Sequence, residues 1–293
     1  MAATILDGRE LAKTLGKQIE KDVSRLKEQH GVTPTVAVVR AGEDQASISY
    51  ARVLKKSFVR HGMDLQLHIL PEATTQNEVI ALIGKLNSDT GVHGILVQEP
   101  LLKGLDEVAI KAALSPDKDV DGVHPINAGR LTQAAPVGRA SNDTPFFVPA
   151  TPAGGLEILK QYHVKLEGKR AVVAGRSSIV GKPMALLLLR ENATVAICHS
   201  RTKDLADVCH SADILCSAVG RARFIKGEWI KPGAVVIDFG INFVDDAMCG
   251  DVDFEAAVKV AGMITPVPGG TGPMTSIMLM RNTIKAAGLR QET

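Results

Sequence analysis

An α/β fold of two domains is predicted by three observations: a chain of 293 residues, an alternation of helical and strand patterns over its first ~100 residues, and a second alternation after a break. The length is long for one compact core and comfortable for two. Apolar Leu11, Leu15, Ile19, Val23 and Leu26 recur at helical spacing, predicting an amphipathic helix over roughly residues 8–29 that stops at Gly31. The β-branched run Thr35–Val39 predicts a buried strand, followed by a helix from about Ser47 to His61 ending at Gly62. Leu65 to Leu70 reads as strand, Gln76 to Leu86 as helix, and Gly94–Val97 as a third buried strand. This order argues for a mostly parallel sheet covered by helices.

From Ser115 to about Pro152 the pattern is lost to Pro, Gly, Asp and Asn, as expected of a functional loop or a domain connection. A helix around Gly155–Tyr162 makes the crossing. The rhythm resumes with strands at Arg170–Ala174, Thr194–Cys198, Ile214–Ser217, Ala234–Phe239 and Met263–Thr265, and with a helix at Pro183–Arg190. Ser276–Ala287 predicts a final helix.

Composition narrows the function classes. Aromatic residues make up 3% of the chain, so stacking surfaces for single strands are scarce. The 34 basic and 32 acidic residues are interspersed, giving a net charge of +2 with no basic block to follow a phosphate backbone. Nucleic acid is not an expected partner. The longest apolar run, Met184–Leu189, is too short for a membrane span, and the first eight residues show no signal-peptide pattern. Cys198, Cys209, Cys216 and Cys249 lack CxxC spacing and read as reduced thiols of a cytoplasmic protein. The histidines show no metal-binding pair, so no metal is expected.

Chemistry concentrates first at Arg170-Ala-Val-Val-Ala-Gly175-Arg-Ser-Ser-Ile-Val-Gly181, a strand, a glycine-rich turn and a helix start. Gly175 suits the tight turn, and the helix N-terminus beyond it offers free N–H groups to a pyrophosphate. Ser177 replaces the middle glycine of the dinucleotide fingerprint, so the motif alone is weak. The next strand strengthens it. That strand ends Cys198-His-Ser-Arg-Thr202 with no acid until Asp204, whereas NAD-selective domains place a carboxylate there for the ribose hydroxyls. Ser200 and Arg201, helped by Arg176, suit a 2′-phosphate instead, predicting NADP on a Rossmann-type domain. Three further segments fall where ligands bind, beyond the carboxyl ends of strands: Gly94–Pro100, Asp119–Val123 and the Pro/Gly-rich Pro266–Thr275.

Taken together, the chain resembles the methylenetetrahydrofolate dehydrogenase/cyclohydrolase family, often called FolD, over essentially its full length. The resemblance is carried by LDG at Leu6–Gly8, DVDG at Asp119–Gly122, NAGRL at Asn127–Leu131, GRSSIVGKP at Gly175–Pro183, CHSRT at Cys198–Thr202 and PVPGGTGPMT at Pro266–Thr275. It implies a homodimer and, within each chain, an N-terminal α/β substrate domain and a C-terminal Rossmann-type NADP domain with a cleft between them. The expected division is residues 1–148, joined by a C-terminal helix at 274–293, against residues 149–273. It also implies oxidation of 5,10-methylenetetrahydrofolate by NADP to the methenyl cation, which water then opens to the 10-formyl form. Carried over by position, Tyr50, Gln98 and the pterin-anchoring Asp121 are catalytic and substrate-binding residues, with Pro268, Gly269 and Gly270 also at the substrate. Gly175, Arg176, Ser177, Ile179, Ser200, Arg201 and Ile241 bind the cofactor.

The chain departs from the family at the hydrolytic lysine, one helical turn after the tyrosine, where Leu54 stands. Positions i and i+4 share a helix face, so Leu54 points with Tyr50. Lys55 and Lys56 lie about 100° and 200° further round. A leucine side chain carries no proton. Glu99 replaces the usual leucine after Gln98, and Ala150 replaces a usual cysteine. Glu99 is either a replacement proton carrier or a solvated strand residue. The leading expectation is therefore an NADP-dependent dehydrogenase with weak or absent cyclohydrolase activity. The alternatives are a fully bifunctional enzyme in which Glu99, Lys55 or Lys56 substitutes, a silent folate-binding paralogue, and a dehydrogenase retuned to a related one-carbon carrier.

Overall fold

A computed structural model describes residues 2–137 and 146–289. In chain order its elements are β1 (Thr4–Ile5), α1 (Gly8–His30), β2 (Thr35–Ala41), α2 (Gln45–Arg60), β3 (Asp64–Leu70), α3 (Gln76–Ser88), β4 (Gly94–Val97), α4 (Glu107–Ala112), α5 (Pro125–Gln133) and α6 (Ala150–Gln161). There follow β5 (Arg170–Ala174), α7 (Gly181–Arg190), β6 (Thr194–Cys198), α8 (Leu205–His210), β7 (Ile214–Ser217), β8 (Val235–Asp238), β9 (Asn242–Val244), β10 (Ala247–Cys249), α9 (Phe254–Ala257), β11 (Met263–Ile264) and α10 (Thr271–Leu289). No helix among the described residues is long and apolar enough to cross a membrane.

The chain divides into two compact units. One is built from residues 2–14, 131–137 and 151–275, the other from residues 15–130, 146–150 and 276–289. Residues 2–14, expected with the N-terminal domain, lie with the nucleotide-type sheet because β1 pairs in parallel with β11. Two residues are too short a strand to show any period. Residues 290–293 of the expected C-terminal helix lie outside the described residues.

The larger sheet has the order β1-β11-β8-β7-β5-β6 with every pair parallel. Its middle strands are continuous apolar runs because helices cover both faces. Val172, Leu215, Val236 and Ile264 are fully buried in one cluster. The smaller sheet, β3-β2-β4, is also parallel. One of its faces packs Ala37, Val39, Ile95 and Val97 against Val79, Ile83 and Leu86 of α3 and Ile110 of α4. On α2, Ser47, Ala51, Leu54 and Phe58 form the buried stripe, at the spacing an amphipathic helix requires.

The long segment read as patternless contains α5. Its nine residues bury only Leu131 and the polar Asn127, so no apolar period betrays it. The stretch 138–145 of that segment lies outside the described residues. Also unread were α4, started by Asp106 accepting N–H groups from Val108 and Ala109, and the short antiparallel hairpin β9–β10. In the second unit, Asn282 of α10 donates to the carbonyls of Val120 at 2.7 Å and Val148 at 3.2 Å. Lys285 donates to Phe146 O at 2.9 Å.

Candidate active site

The second unit gathers Tyr50, Gln98, Glu99 and Asp121. Asp121 follows a bridge that continues the small sheet, Ile95 pairing in parallel with Asp119. The preceding Asp119 is fully buried and accepts N–H groups from Val123 at 3.0 Å and His124 at 2.8 Å, and the Asn127 amide at 2.8 Å. DVDG and NAGRL are thus one knot of hydrogen bonds that presents Asp121. Burial pushes the Asp121 carboxyl up to about 7, aided by the charges of Asp119 and Glu99 and opposed by Lys111 and the Ala150 N–H. Tyr50, half-buried on α2, has its phenol pushed well above the usual range by burial and by the Asp121 charge, so it stays a neutral donor.

Gln98 is buried at the end of β4. Its amide Nε2 donates to Ser47 O in the first turn of α2 at 2.6 Å. Leu54 is fully buried, whereas Lys55 and Lys56 are exposed on the far side of α2. Glu99 is half-buried and is not simply solvated. Its Oε1 lies 2.6 Å from Nζ of Lys111, which also pairs with Glu107. Burial works to lower the Lys111 ammonium, but the two carboxylates outweigh it and hold it above its ordinary value. Sequence reasoning missed Lys111 because a lysine in a short helix reads as surface.

The first unit holds the glycine-rich turn. Gly175 has φ +129°, and a Cβ there would lie 2.2 Å from Ala218 O. At Gly181 a Cβ would meet Gly175 O at 2.3 Å. Only glycine permits these approaches. Ser177, the apparent flaw in the fingerprint, accepts N–H groups from Val180 at 3.1 Å and Gly181 at 3.2 Å on its hydroxyl, starting α7. At the end of β6, His199 N donates to Thr202 Oγ1 at 2.9 Å and Arg201 N to His199 Nδ1 at 3.2 Å. This turn leaves Ser200 and Arg201 exposed, as Arg176 is, and neither arginine forms an ion pair with a described residue. Ile179 is half-buried and Ile241 is 62% exposed.

In the same unit, Gly8 N donates to Gly269 O at 2.9 Å, and a Cβ on Gly8 would lie 1.8 Å from Gly270 O. The LDG start is therefore the seat of the PVPGG loop, in which Pro268 is exposed and Gly269 and Gly270 are buried. Two carboxylates that sequence reasoning missed order the neighbouring loops. Asp251 accepts N–H groups from Val219, Gly220 and Arg221, and Asp238 accepts from Gly240, Asp251 and Val252. Burial pushes Asp238 up to about 7.

Residues 6–121 match the family described as tetrahydrofolate dehydrogenase/cyclohydrolase, catalytic domain, and residues 149–291 match its NAD(P)-binding domain. The chain is 49% identical to a bifunctional protein FolD of Chloroflexus aggregans, covering 99% of both chains. It is 51% identical to one of Bacillus pumilus, covering 98% of both. Among solved structures, the bifunctional FolD enzyme of Campylobacter jejuni superposes with a TM-score of 0.92 at 42% identity, covering 99% of this chain and 100% of that one. The methylenetetrahydrofolate dehydrogenase-cyclohydrolase of Trypanosoma brucei, solved with NADP and an inhibitor, gives 0.93 at 36% identity, covering 100% of both.

Proposed function

Because this chain belongs to the tetrahydrofolate dehydrogenase/cyclohydrolase family, we propose that it oxidises 5,10-methylenetetrahydrofolate with NADP and has weak or absent methenyltetrahydrofolate cyclohydrolase activity. The observation that carries the reading is an apolar, fully buried Leu54 at the hydrolytic lysine position, beside cofactor and pterin motifs that are intact in the sequence.

The residues of the first unit fit NADP. Gly175 and Gly181 let the strand, turn and helix start pack backbone against backbone, the tight turn on which a pyrophosphate site is built. Ser200, Arg201 and Arg176 offer a hydroxyl and two guanidinium groups to a 2′-phosphate, with no carboxylate before Asp204 to repel it. When bound, the cofactor takes up the hydride. The task left to the protein is orientation, since donor and acceptor carbons must be held in near-attack geometry.

In the second unit, Asp121 accepts N–H groups of the pterin, and the neutral Tyr50 hydroxyl donates beside it. Gln98, tied to Ser47, orients the one-carbon end. Hydrolysis of the methenyl cation requires in addition a group that takes a proton from water. Leu54 has none, Lys55 and Lys56 face away, and Glu99 is held in an ion pair with Lys111. We further read the protein as a cytoplasmic homodimer with tetrahydrofolate derivatives as its small-molecule partners.

Initial rates of NADPH formation from methylenetetrahydrofolate test the reading, with NADP and NAD compared at equal concentration. A kcat/KM higher with NADP is expected. A higher value with NAD, or no turnover with either, would sink it.

Asp121 adds a pH dependence. Burial holds its carboxyl up at about 7, well above an ordinary aspartate, and only the ionised form accepts pterin N–H groups with both oxygens. Folate affinity is therefore gained as pH rises. Below that point kcat/KM for methylenetetrahydrofolate is expected to climb about tenfold per pH unit, flattening above it. The stability effect runs the other way. Between an ordinary aspartate pKa and about 7 the folded protein holds a proton that the unfolded chain has released, so this group's contribution falls across that window. A rate profile between pH 5.5 and pH 8.5 that stays level on its acid side would contradict the assignment of Asp121.

A further inference from the structure

Among the described residues, four buried side-chain polar atoms have no hydrogen-bond partner, and three of them belong to two residues: Nε and Nη1 of Arg40 and Oε1 of Gln98. Each residue is 5% exposed. They are neighbours in the small sheet. Val39 of β2 stands opposite Val97 of β4, and Gln98 N donates to Val39 O at 2.8 Å. One step further along each strand, Arg40 and Gln98 project from the same face.

That face lies under α2. The other face, with Ala37 and Val39, is covered by α3 and α4, whereas the Gln98 amide reaches Ser47 O of α2. Asp44, the N-cap of α2, is held ionised chiefly by Ser47 and in part by the Arg40 charge. Arg40 thus enters from the strand the layer that Leu54 enters from the helix. Buried donors and acceptors without partners, side by side, suit a bound molecule that supplies both an acceptor and a donor.

We propose that Arg40 is a substrate-binding residue of the folate site, where it supplies from β2 the positive charge that the family places at position 54 on the helix. Its guanidinium donates to acceptor atoms of the reduced pterin while Gln98 Oε1 accepts from a donor beside them. This rests on the reading of the second unit as the folate-binding part. A guanidinium stays protonated throughout the working pH range. Arg40 therefore binds and orients, as the lysine's charge would, but takes no proton from an attacking water. The exchange keeps the oxidative step and withholds the hydrolytic one.

The test uses the full chain and the variants Arg40→Leu and Arg40→Leu/Leu54→Lys. Tetrahydrofolate binding is read by equilibrium dialysis, NADP binding by calorimetry, and Tm by thermal unfolding. Arg40→Leu is expected to bind tetrahydrofolate at least about tenfold more weakly, bind NADP as the wild type does, and unfold at the same or a higher Tm, since two buried donor atoms without hydrogen-bond partners have gone. The double variant is expected to regain tetrahydrofolate binding and to clear methenyltetrahydrofolate faster than buffer. Equal tetrahydrofolate binding by wild type and Arg40→Leu overturns the proposal. So does a lower Tm or a failure to fold, which would make Arg40 a structural residue. A wild-type protein that binds no tetrahydrofolate at all overturns the folate reading as well.

Discussion

Asp121→Asn lowers kcat/KM for methylenetetrahydrofolate by about 10²–10³ and abolishes its rise with pH, while the KM for NADP stays put. The substitution is isosteric, so the buried knot around Asp119, with its bonds to Val123, His124 and Asn127, stays intact. What changes is the hydrogen-bonding sense. A carboxylate accepts with both oxygens, whereas asparagine presents one acceptor and an NH2 group that opposes the pterin's own donors. The loss combines a missing charge-assisted bond with a buried donor–donor clash, and each costs about 1–3 kcal/mol. Steady-state kinetics at several pH values measure both the size and the flattened profile. A variant within a factor of two of the wild type at pH 7 would remove Asp121 from the site.

Arg201→Asp shifts the preference between NADP and NAD by about 10³. Arg201 is exposed on a turn that its own neighbours hold, through His199 and Thr202, so the backbone keeps its course when the side chain changes. The arginine offers a charge-assisted bond to a 2′-phosphate, and an aspartate in its place repels that phosphate and suits ribose hydroxyls. NADP therefore loses on both counts, while NAD gains a partner. The ratio of kcat/KM for the two cofactors reads the effect. An unchanged ratio would leave Arg176 or Ser200 as the discriminating group.

The central strands were legible because they are buried on both sides and so read as uninterrupted apolar runs: Arg170–Ala174 and Ile214–Ser217 have the bounds expected of them. The edge strand Thr194–Cys198, only partly buried, was legible from its alternation of Val195 and Ile197 with smaller residues, and its bounds also hold. The elements that escaped are those whose form is set elsewhere. Strand β1 exists only because β11 offers it an edge, and α5 is anchored through Asn127 rather than an apolar stripe. The family resemblance, read from six motifs, is matched by relatives across the full length.

Within the site, Tyr50, Gln98 and Asp121 are gathered into one unit, and Leu54 points inward as helix spacing requires. Arg40 and Lys111 could not be found in the same way. A charged residue after an apolar strand run reads as the strand's exit into solvent, yet Arg40 is buried. Only the register of β2 against β4 shows which face it takes. Lys111 sits in a six-residue helix too short for a period, and its place is set by Glu99 and Glu107. Ser177 shows the converse. It breaks the expected glycine pattern and is explained by the two helix N–H groups it receives.

The most direct test of the account follows the methenyl species itself. Purified protein is mixed with 5,10-methylenetetrahydrofolate and NADP, and near-ultraviolet spectra are recorded over time beside a protein-free sample of methenyltetrahydrofolate. NADPH and methenyltetrahydrofolate are expected to rise together, and the methenyl species then to decay no faster than it does in buffer. Faster clearance of the methenyl species would contradict that expectation, and would mean that another group has taken over the work of the lysine missing at Leu54.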